Sequence, residues 1–369
     1  MLKGYRLRDY NFKLVVLVLL ATIMGTIVIN SADSSYTTKQ IIGLVGCIFV
    51  MIVVSLIDYH YYCKFWILLY IINIIMILGL RPFGKVVNGA KRWYGIGDSM
   101  TIQPSEFSKI IMIICLAVLL TKLKDKLNNW KSLLLLAVFC AVPLAVVVQQ
   151  PDLSTTIDIF LLMLAMIFVA GLSYKVMGIA ALIMIPLSSA LLWYLQQPDQ
   201  KLINENQQGR VLAFLYPQDY ALTTGYQQAN SVMAIGSGML TGKGISSDTV
   251  ATVKDANLIS EQQTDFIFSV VGEELGFIGC VFIIAIILLI VLQCIRIARK
   301  AGDREGMLIA TGVAALICFQ TFINIGVATQ ILPNTGLPLP FISYGLSSLL
   351  SSCIGIGLVL NVGLHRKKY

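Results

Sequence analysis

The sequence predicts an all-α polytopic membrane protein of about ten transmembrane helices, with both termini cytoplasmic and a long outer loop between helices seven and eight. Three observations carry this. Of 369 residues, 57% are hydrophobic and 12% charged, against roughly 25% charged in an average soluble domain. Apolar runs near or above the ~18 residues needed to span a bilayer recur along nearly the whole chain. The only long polar segment is 195-263. A water-soluble globule is excluded, and one membrane domain over 1-369 is expected.

The chain opens MLKGYRLRDYNFKLVVLVLLATIMGTIVI. Its apolar run is too long for a signal-peptide core and lacks a small-residue cleavage site, so it is taken as the first helix. Bounding each apolar run by charges or turn residues gives helices near 12-30, 40-57, 61-79, 107-121, 132-149, 154-171, 173-194, 264-293, 306-328 and 341-363. The outer segment 195-263 holds amphipathic pieces, VLAFLYPQDY and ANSVMAIGSG, which predict partly ordered structure on the membrane surface. The eight cysteines lie almost all in apolar stretches without metal-ligand spacing, so neither a disulfide nor a metal site is predicted.

Orientation follows from Lys and Arg. An inner N-terminus puts Lys3, Arg6, Arg8, Lys122, Lys124, Lys126, Arg296, Arg299, Lys300 and Arg366 to Lys368 inside. Fewer fall outside, Lys201, Arg210 and Lys254 among them. The exception is the loop RPFGKVVNGAKRWYGIGD, where Arg81, Lys85, Lys91 and Arg92 face one Asp on the outer side. Either this charge holds an anionic lipid or phosphate group, or the bias tolerates one deviant loop.

Charges inside spans are costly and so mark candidate sites. Glu106 and Lys109 in TIQPSEFSKI share a helical face at i,i+3 and can neutralise one another, as a positioning pair or as part of the chemistry. Asp152 follows a Pro and precedes hydroxyl residues, as a helix N-cap does. Asp158 lies deeper, open to either reading. Asp265 stands where the outer segment turns into the eighth helix; a partly desolvated carboxylate there has a raised pKa and suits a general base, with a helix cap as the bland alternative. Glu273 and Glu274 require partners, cationic side chains or the backbone of a broken helix. The segment LPNTGLPLPFISYGLSS cannot form one regular helix, and non-helical backbone at that depth survives only buried in protein or facing a wet cavity. Asp152, Pro338, Ser343, Tyr344, Ser347 and Ser348 are the expected cavity lining. His60 and His365, the only histidines, both fall inside, which excludes a His-based triad or zinc site on the outer face, and no GxxxxGKS phosphate loop is present.

The blocks NGAKRWYGIG, IQPSEFSK, QPDLSTT, GRVLAFLYPQD, GYQQANSVMAIGSGMLTGKG, TDFIFSVVGEELGFIG and LPNTGLPLPFISYGLSS occur in the order and spacing of the SEDS proteins, the RodA, FtsW and SpoVE group, from about Tyr5 to Arg366. The chain thus resembles a family of ten-helix peptidoglycan glycosyltransferases. The resemblance implies polymerisation of lipid II on the outer face of the bacterial cytoplasmic membrane, beside a class B penicillin-binding protein that cross-links the strands and other elongation or division membrane proteins. No nucleic acid is implied. The family's essential acidic residue maps to Asp265, and its paired Glu and Lys map to Glu106 and Lys109. The sequence departs from the common pattern at Ser260, Gln263, Met239 and Leu346; Leu346 replaces a usual Gly and is expected to narrow the cavity. The short tails and the opening RLRDYNFKL lean towards elongation rather than division or sporulation.

Lipid II carries a diphosphate leaving group and a tail that stays in the bilayer, so a catalyst needs outer-interface cations, a base and lateral lipid access. Arg81, Lys85, Lys91, Arg92 and Arg210 supply cations for the diphosphate, and Asp265 accepts the proton of the attacking hydroxyl. No cofactor is predicted. A divalent cation such as Mg2+ stays open, since no carboxylate cage is visible. Intramembrane charges also fit a lipid II flippase, and a noncatalytic activator of a transpeptidase is a third reading; a lone Asp at the outer interface favours chemistry over transport.

Overall fold

The computed structural model describes residues 10–87, 90–96, 100–150, 152–197, 199–245, 252–253, 256 and 258–365. Lys3, Arg6, Arg8, Asp98, Lys254, Arg366, Lys367 and Lys368, which enter the charge argument, lie outside them.

Among the described residues, eight helices are long and apolar enough to cross a membrane. They are α1 (Phe12–Ala32), α2 (Thr37–Leu56), α4 (Trp66–Leu78), α7 (Trp130–Val148), α9 (Tyr174–Leu195), α12 (Ile267–Arg299), α13 (Arg304–Ala328) and α14 (Leu346–Leu364). Two more helices fall where the sequence places spans without meeting that length and apolarity. One is α6 (Pro104–Leu123), which carries Glu106, Lys109 and Lys122; the other is the shorter α8 (Leu153–Val169). The predicted third helix is subdivided. Asp58 caps a short α3 (Tyr59–Lys64), Phe65 breaks the chain direction, and α4 is followed by a one-turn α5 (Leu80–Phe83). Pro104 occupies the first turn of α6, where its missing N–H costs no hydrogen bond.

The loop after α5 is not irregular. It forms a small antiparallel sheet of order β1-β2-β3, with β1 (Lys85–Val87), β2 (Ala90–Ile96) and β3 (Met100–Ile102). Asn88-Gly89 between two β-prone runs is the strongest short hairpin signal in a sequence. Tyr94 ties the sheet down by donating to Met76 O at 2.9 Å. The outer segment supplies α10 (Glu205–Leu215) and α11 (Tyr226–Ser237), the two amphipathic pieces.

Burial divides the bundle. The core is built from α1, α6, α8, α12, α13 and α14, whereas α9 buries only Leu195 and presents its length outward. Helix α12 is interrupted at Gly276, whose φ of 63° departs from helical geometry. Gly242 N packs so close there that a side chain would not fit. The two acids before this break have partners: Glu273 accepts from Lys243 Nζ at 2.7 Å and Val253 N at 2.8 Å, and Oε1 of Glu274 accepts from Ser31 Oγ at 2.5 Å. All eight cysteines are free thiols.

Two departures from the family pattern have local explanations. Met239 takes φ 51°, a left-handed conformation that glycine adopts without strain. Leu346, expected to narrow the cavity, instead packs its side chain against Gly43 of α2.

Candidate functional site

The site is organised by the irregular segment 333–345. Gln320 and Asn324, one turn apart on α13, hold it: Gln320 Nε2 donates to Pro338 O at 3.0 Å and Asn324 Nδ2 to Leu337 O at 2.7 Å. Asn324 Nδ2 also reaches Asp265 O at 2.8 Å, so one side chain joins the proline-rich segment to the turn that leads into α12. Ser343 Oγ donates to Thr264 O at 2.6 Å, and Tyr344 N donates to Gln263 O at 2.9 Å. Phe341 sits at φ 66°, a conformation that a bulky aromatic residue adopts only where its surroundings impose it.

On the α1 side the same segment leaves no room. A Cβ at Gly25 would lie 2.7 Å from Ile342 Cα, Ile342 O and Phe341 O. These are backbone atoms that cannot swing aside. Gly25→Ala is therefore expected to destabilise the protein by about 1–3 kcal/mol, the usual cost of overpacking, and to lower activity by displacing the segment. Thermal unfolding of the purified variant checks the first expectation; unchanged stability would mean that α1 yields freely.

Asp265 is half-buried beside Phe266 and Phe268. Burial away from water, reinforced by Glu261, pushes its carboxyl up to about 7, against the opposing pull of Arg210 and Arg92. It does not cap α12, which has no side-chain cap bond at its start, so the capping alternative is set aside. Gly336, at φ 79°, lies directly beneath: a Cβ there would be 3.0 Å from Asp265 Oδ2 and 3.9 Å from an Arg210 guanidinium nitrogen. Carboxylate and guanidinium thus share one glycine surface. Arg210 is exposed, yet partial desolvation of its guanidinium by the surrounding groups draws it below its ordinary pKa, with Asp265 opposing the shift.

Asp152 does cap α8, accepting from Thr155 N at 3.2 Å. It also accepts from Gln103 Nε2 at 3.3 Å and faces Arg92 Nη1 at 3.8 Å. Arg92 Nε further donates to Gln150 O at 3.2 Å, fixing β2 against the head of α8. Arg81 bonds Gln149 and Lys91 Nζ reaches Arg81 O at 3.3 Å. Arg92 and Arg210 act on the Asp265 carboxylate, while Arg81 and Lys91 lie further along the loop on exposed positions.

One layer deeper, Glu106 and Lys109 meet at 2.8 Å. The pair has a third member, Asp158, whose Oδ2 is 3.5 Å from Lys109 Nζ, and all three side chains are buried. Ser351 Oγ donates to Glu106 Oε2 at 3.2 Å, and Lys109 also reaches Gln320 Oε1 at 3.4 Å. Gln320 Nε2 lies 3.4 Å from Ser348 Oγ, and Gln103 N donates to Ser347 Oγ at 3.1 Å. The hydroxyls of Ser343, Ser347 and Ser348 are therefore engaged within the protein, while Pro338 and Tyr344 remain part-exposed. Sequence reasoning missed Gln320 and Asn324, and left Asp158 unassigned. Amides inside an apolar helix, a turn apart, were the available signal.

The fold and site define a polytopic membrane protein whose charged centre lies where an irregular, proline-rich segment meets the head of α12. Residues 10–368 match the model of the FtsW, RodA and SpoVE family of cell cycle proteins, and the chain belongs to that family. It is 33% identical over 357 residues to the peptidoglycan glycosyltransferase MrdB of Escherichia coli (strain K12), covering 95% of this chain and 93% of the relative. It is 32% identical over 375 residues to the probable peptidoglycan glycosyltransferase FtsW of Geobacter metallireducens, covering 97% and 96%. Among solved structures it resembles a chain of a peptidoglycan synthase complex that coordinates polymerization and crosslinking, with TM-score 0.81, 25% identity and coverage of 96% and 97%. It shares its fold with the Thermus thermophilus rod shape determining protein RodA, with TM-score 0.70, 23% identity and coverage of 98% of both chains.

Proposed function

We propose that this peptidoglycan glycosyltransferase polymerises lipid II at the outer face of the bacterial cytoplasmic membrane, with Asp265 as the base and Arg210 and Arg92 as the diphosphate clamp. Asp265 takes the proton of the GlcNAc 4-hydroxyl; that oxygen bonds to the sugar C1, and the bond from C1 to the lipid diphosphate breaks with inversion. The arginines offset the charge that gathers on the leaving diphosphate. The observation that carries this reading is the shared surface of Asp265 and Arg210 on Gly336, at the mouth of a bundle whose α9 stands outward and leaves a flank for a lipid tail. A divalent cation such as Mg2+ would join the diphosphate rather than a protein cage.

The likeness to MrdB, and to a synthase complex that polymerises and crosslinks, supports a role in elongation beside a class B penicillin-binding protein. The test of the central reading is strand synthesis by the purified protein from lipid II in vesicles. Glycan strands are expected; lipid II crossing the bilayer without strands would favour the flippase reading instead.

The clamp has its own test. Arg92→Ala is expected to weaken lipid II use by about 1.5–3 kcal/mol, the worth of a hydrogen bond to a charged group, with Arg92→Lys recovering only part because Lys lacks the bidentate fork. Arg210→Ala should cost as much. It should also move the rising limb of the rate profile to higher pH, since a cation holding Asp265 ionised is gone. A lipid II titration across pH reads both. Full activity in both Lys91→Ala and Arg92→Ala would leave the loop's charge as a tolerated exception to the orientation rule.

A further inference from the structure

The only two histidines of the chain, far apart in sequence, meet at the end of the bundle away from Asp265. His60 belongs to α3 and His365 closes α14, whose other end begins beside the catalytic segment. Their rings stand edge to face at 5.7 Å, and Tyr59 stacks on His60 at 4.1 Å. Asp58 lies between them: its Oδ1 is 2.6 Å from His60 Nδ1 and its Oδ2 is 3.5 Å from His365 Nε2. One ligand atom from each residue falls within 4.8 Å of the others.

The far ring nitrogens decide how this cluster is used. His365 Nδ1 is 3.0 Å from Asn361 O, an acceptor only, so that nitrogen carries hydrogen. His60 faces a carboxylate at each nitrogen, Asp303 Oδ2 at 2.8 Å from Nε2 and Asp58 Oδ1 at 2.6 Å from Nδ1, and Asp303 Oδ2 already accepts from Tyr59 OH at 2.5 Å, so a neutral ring turns one lone pair towards a carboxylate whichever nitrogen carries hydrogen. With hydrogen on His60 Nε2, the tautomer that frees Nδ1 for a ligand, the lone pairs of His60 Nδ1 and His365 Nε2 both point at Asp58. That arrangement is repulsive unless positive charge sits among the three. Outer hydrogen bonds from each imidazole to a carboxylate or carbonyl are the support that metal-bound histidines almost always have.

The ground beneath is rigid. Asn361 Oδ1 accepts from Tyr59 N at 2.9 Å while its Nδ2 donates to Ser55 O at 2.8 Å, and Asp303 Oδ1 accepts from Gly306 N at 2.7 Å. The ligands themselves stay reachable, with side chains 46%, 25% and 33% exposed for His60, His365 and Asp58. Bringing each ligand atom to the ~2.0–2.2 Å typical of zinc needs only small side-chain movements, and water completes the coordination.

We propose that Asp58, His60 and His365 bind a divalent first-row transition ion of the zinc class, which clasps the end of α14 to the turn between α2 and α3. Two imidazoles and one carboxylate are a ligand set such ions accept, whereas Mg2+ and Ca2+ prefer oxygen alone.

The test uses the full chain without a histidine tag, purified and stripped with chelator. Zn2+ alone is titrated by calorimetry, and Co2+ is followed by its visible absorption. One ion per chain is expected. His60→Ala, His365→Gln and Asp58→Asn should each weaken binding at least about 10- to 100-fold, the loss seen when even outer-shell partners are removed. Asn still caps α3, so Asp58→Asn should keep its fold, and unfolding temperatures in chelator check every variant. Zn2+ should raise the unfolding temperature of the wild type alone. Absence of stoichiometric uptake, or uptake unchanged in the His60→Ala/His365→Gln double variant, would overturn the proposal and leave a proton-linked clasp.

Discussion

Asp265→Asn is expected to abolish strand synthesis, a loss of about 10²- to 10⁴-fold from removal of a placed base, while the protein still inserts and folds. The change is nearly isosteric, and Asn324 holds the Asp265 backbone carbonyl, which the substitution keeps. The wild-type rate should rise with pH through about 7 and then level, because only the ionised carboxylate accepts a proton and burial has pushed that group up to about 7. Stability runs the other way. A carboxyl whose folded pKa exceeds its unfolded value makes folding less favourable as pH climbs between the two, so the neutral Asn variant should match or exceed the wild type in stability at and above pH 7. A mere structural role predicts the reverse, lower stability with partial activity. Glycan strands at the wild-type rate from purified Asp265→Asn would remove Asp265 from the chemistry.

The spans were legible because lipid permits few solutions: a segment in hydrocarbon must satisfy its own backbone, so length and apolarity nearly suffice. Their ends were less so. No turn residue separates α3 from α4, since Phe65 breaks the helix by conformation rather than polarity, and α12 runs to Arg299, six residues beyond the expected end at 293, because Arg296 and Arg299 end the apolar run but not the helix. At the site, Asp265, Glu106, Lys109 and Arg210 stood out as charges in an apolar chain. Gln320 and Asn324 did not, because an amide within a helix reads alike whether it faces lipid, a neighbour or a site. Their importance comes from the carbonyls of Pro338, Leu337 and Asp265, which only the fold brings within reach. The meeting of His60 with His365 is likewise a property of the closed bundle and not of any local spacing.

The deeper cluster carries the largest expected stability effect. Two carboxylates, Glu106 and Asp158, share the single ammonium of Lys109, and that side chain is wholly buried. Removing one acid leaves the ammonium a partner; removing the ammonium leaves two acids facing each other in a medium that solvates neither. Lys109→Ala is therefore expected to cost about 3–5 kcal/mol, as for a broken buried pair, and Glu106→Gln or Asp158→Asn distinctly less. Because Gln320 touches both Lys109 and the Pro338 carbonyl, the same variant should disturb the segment beneath Asp265 and lower strand synthesis. Adding Glu106→Gln and Asp158→Asn to Lys109→Ala should recover much of the lost stability, since no uncompensated charge then remains. Thermal unfolding of the four variants in one detergent gives the comparison. Strictly additive losses would mean that the three charges act independently, and the shared-ammonium account would fall.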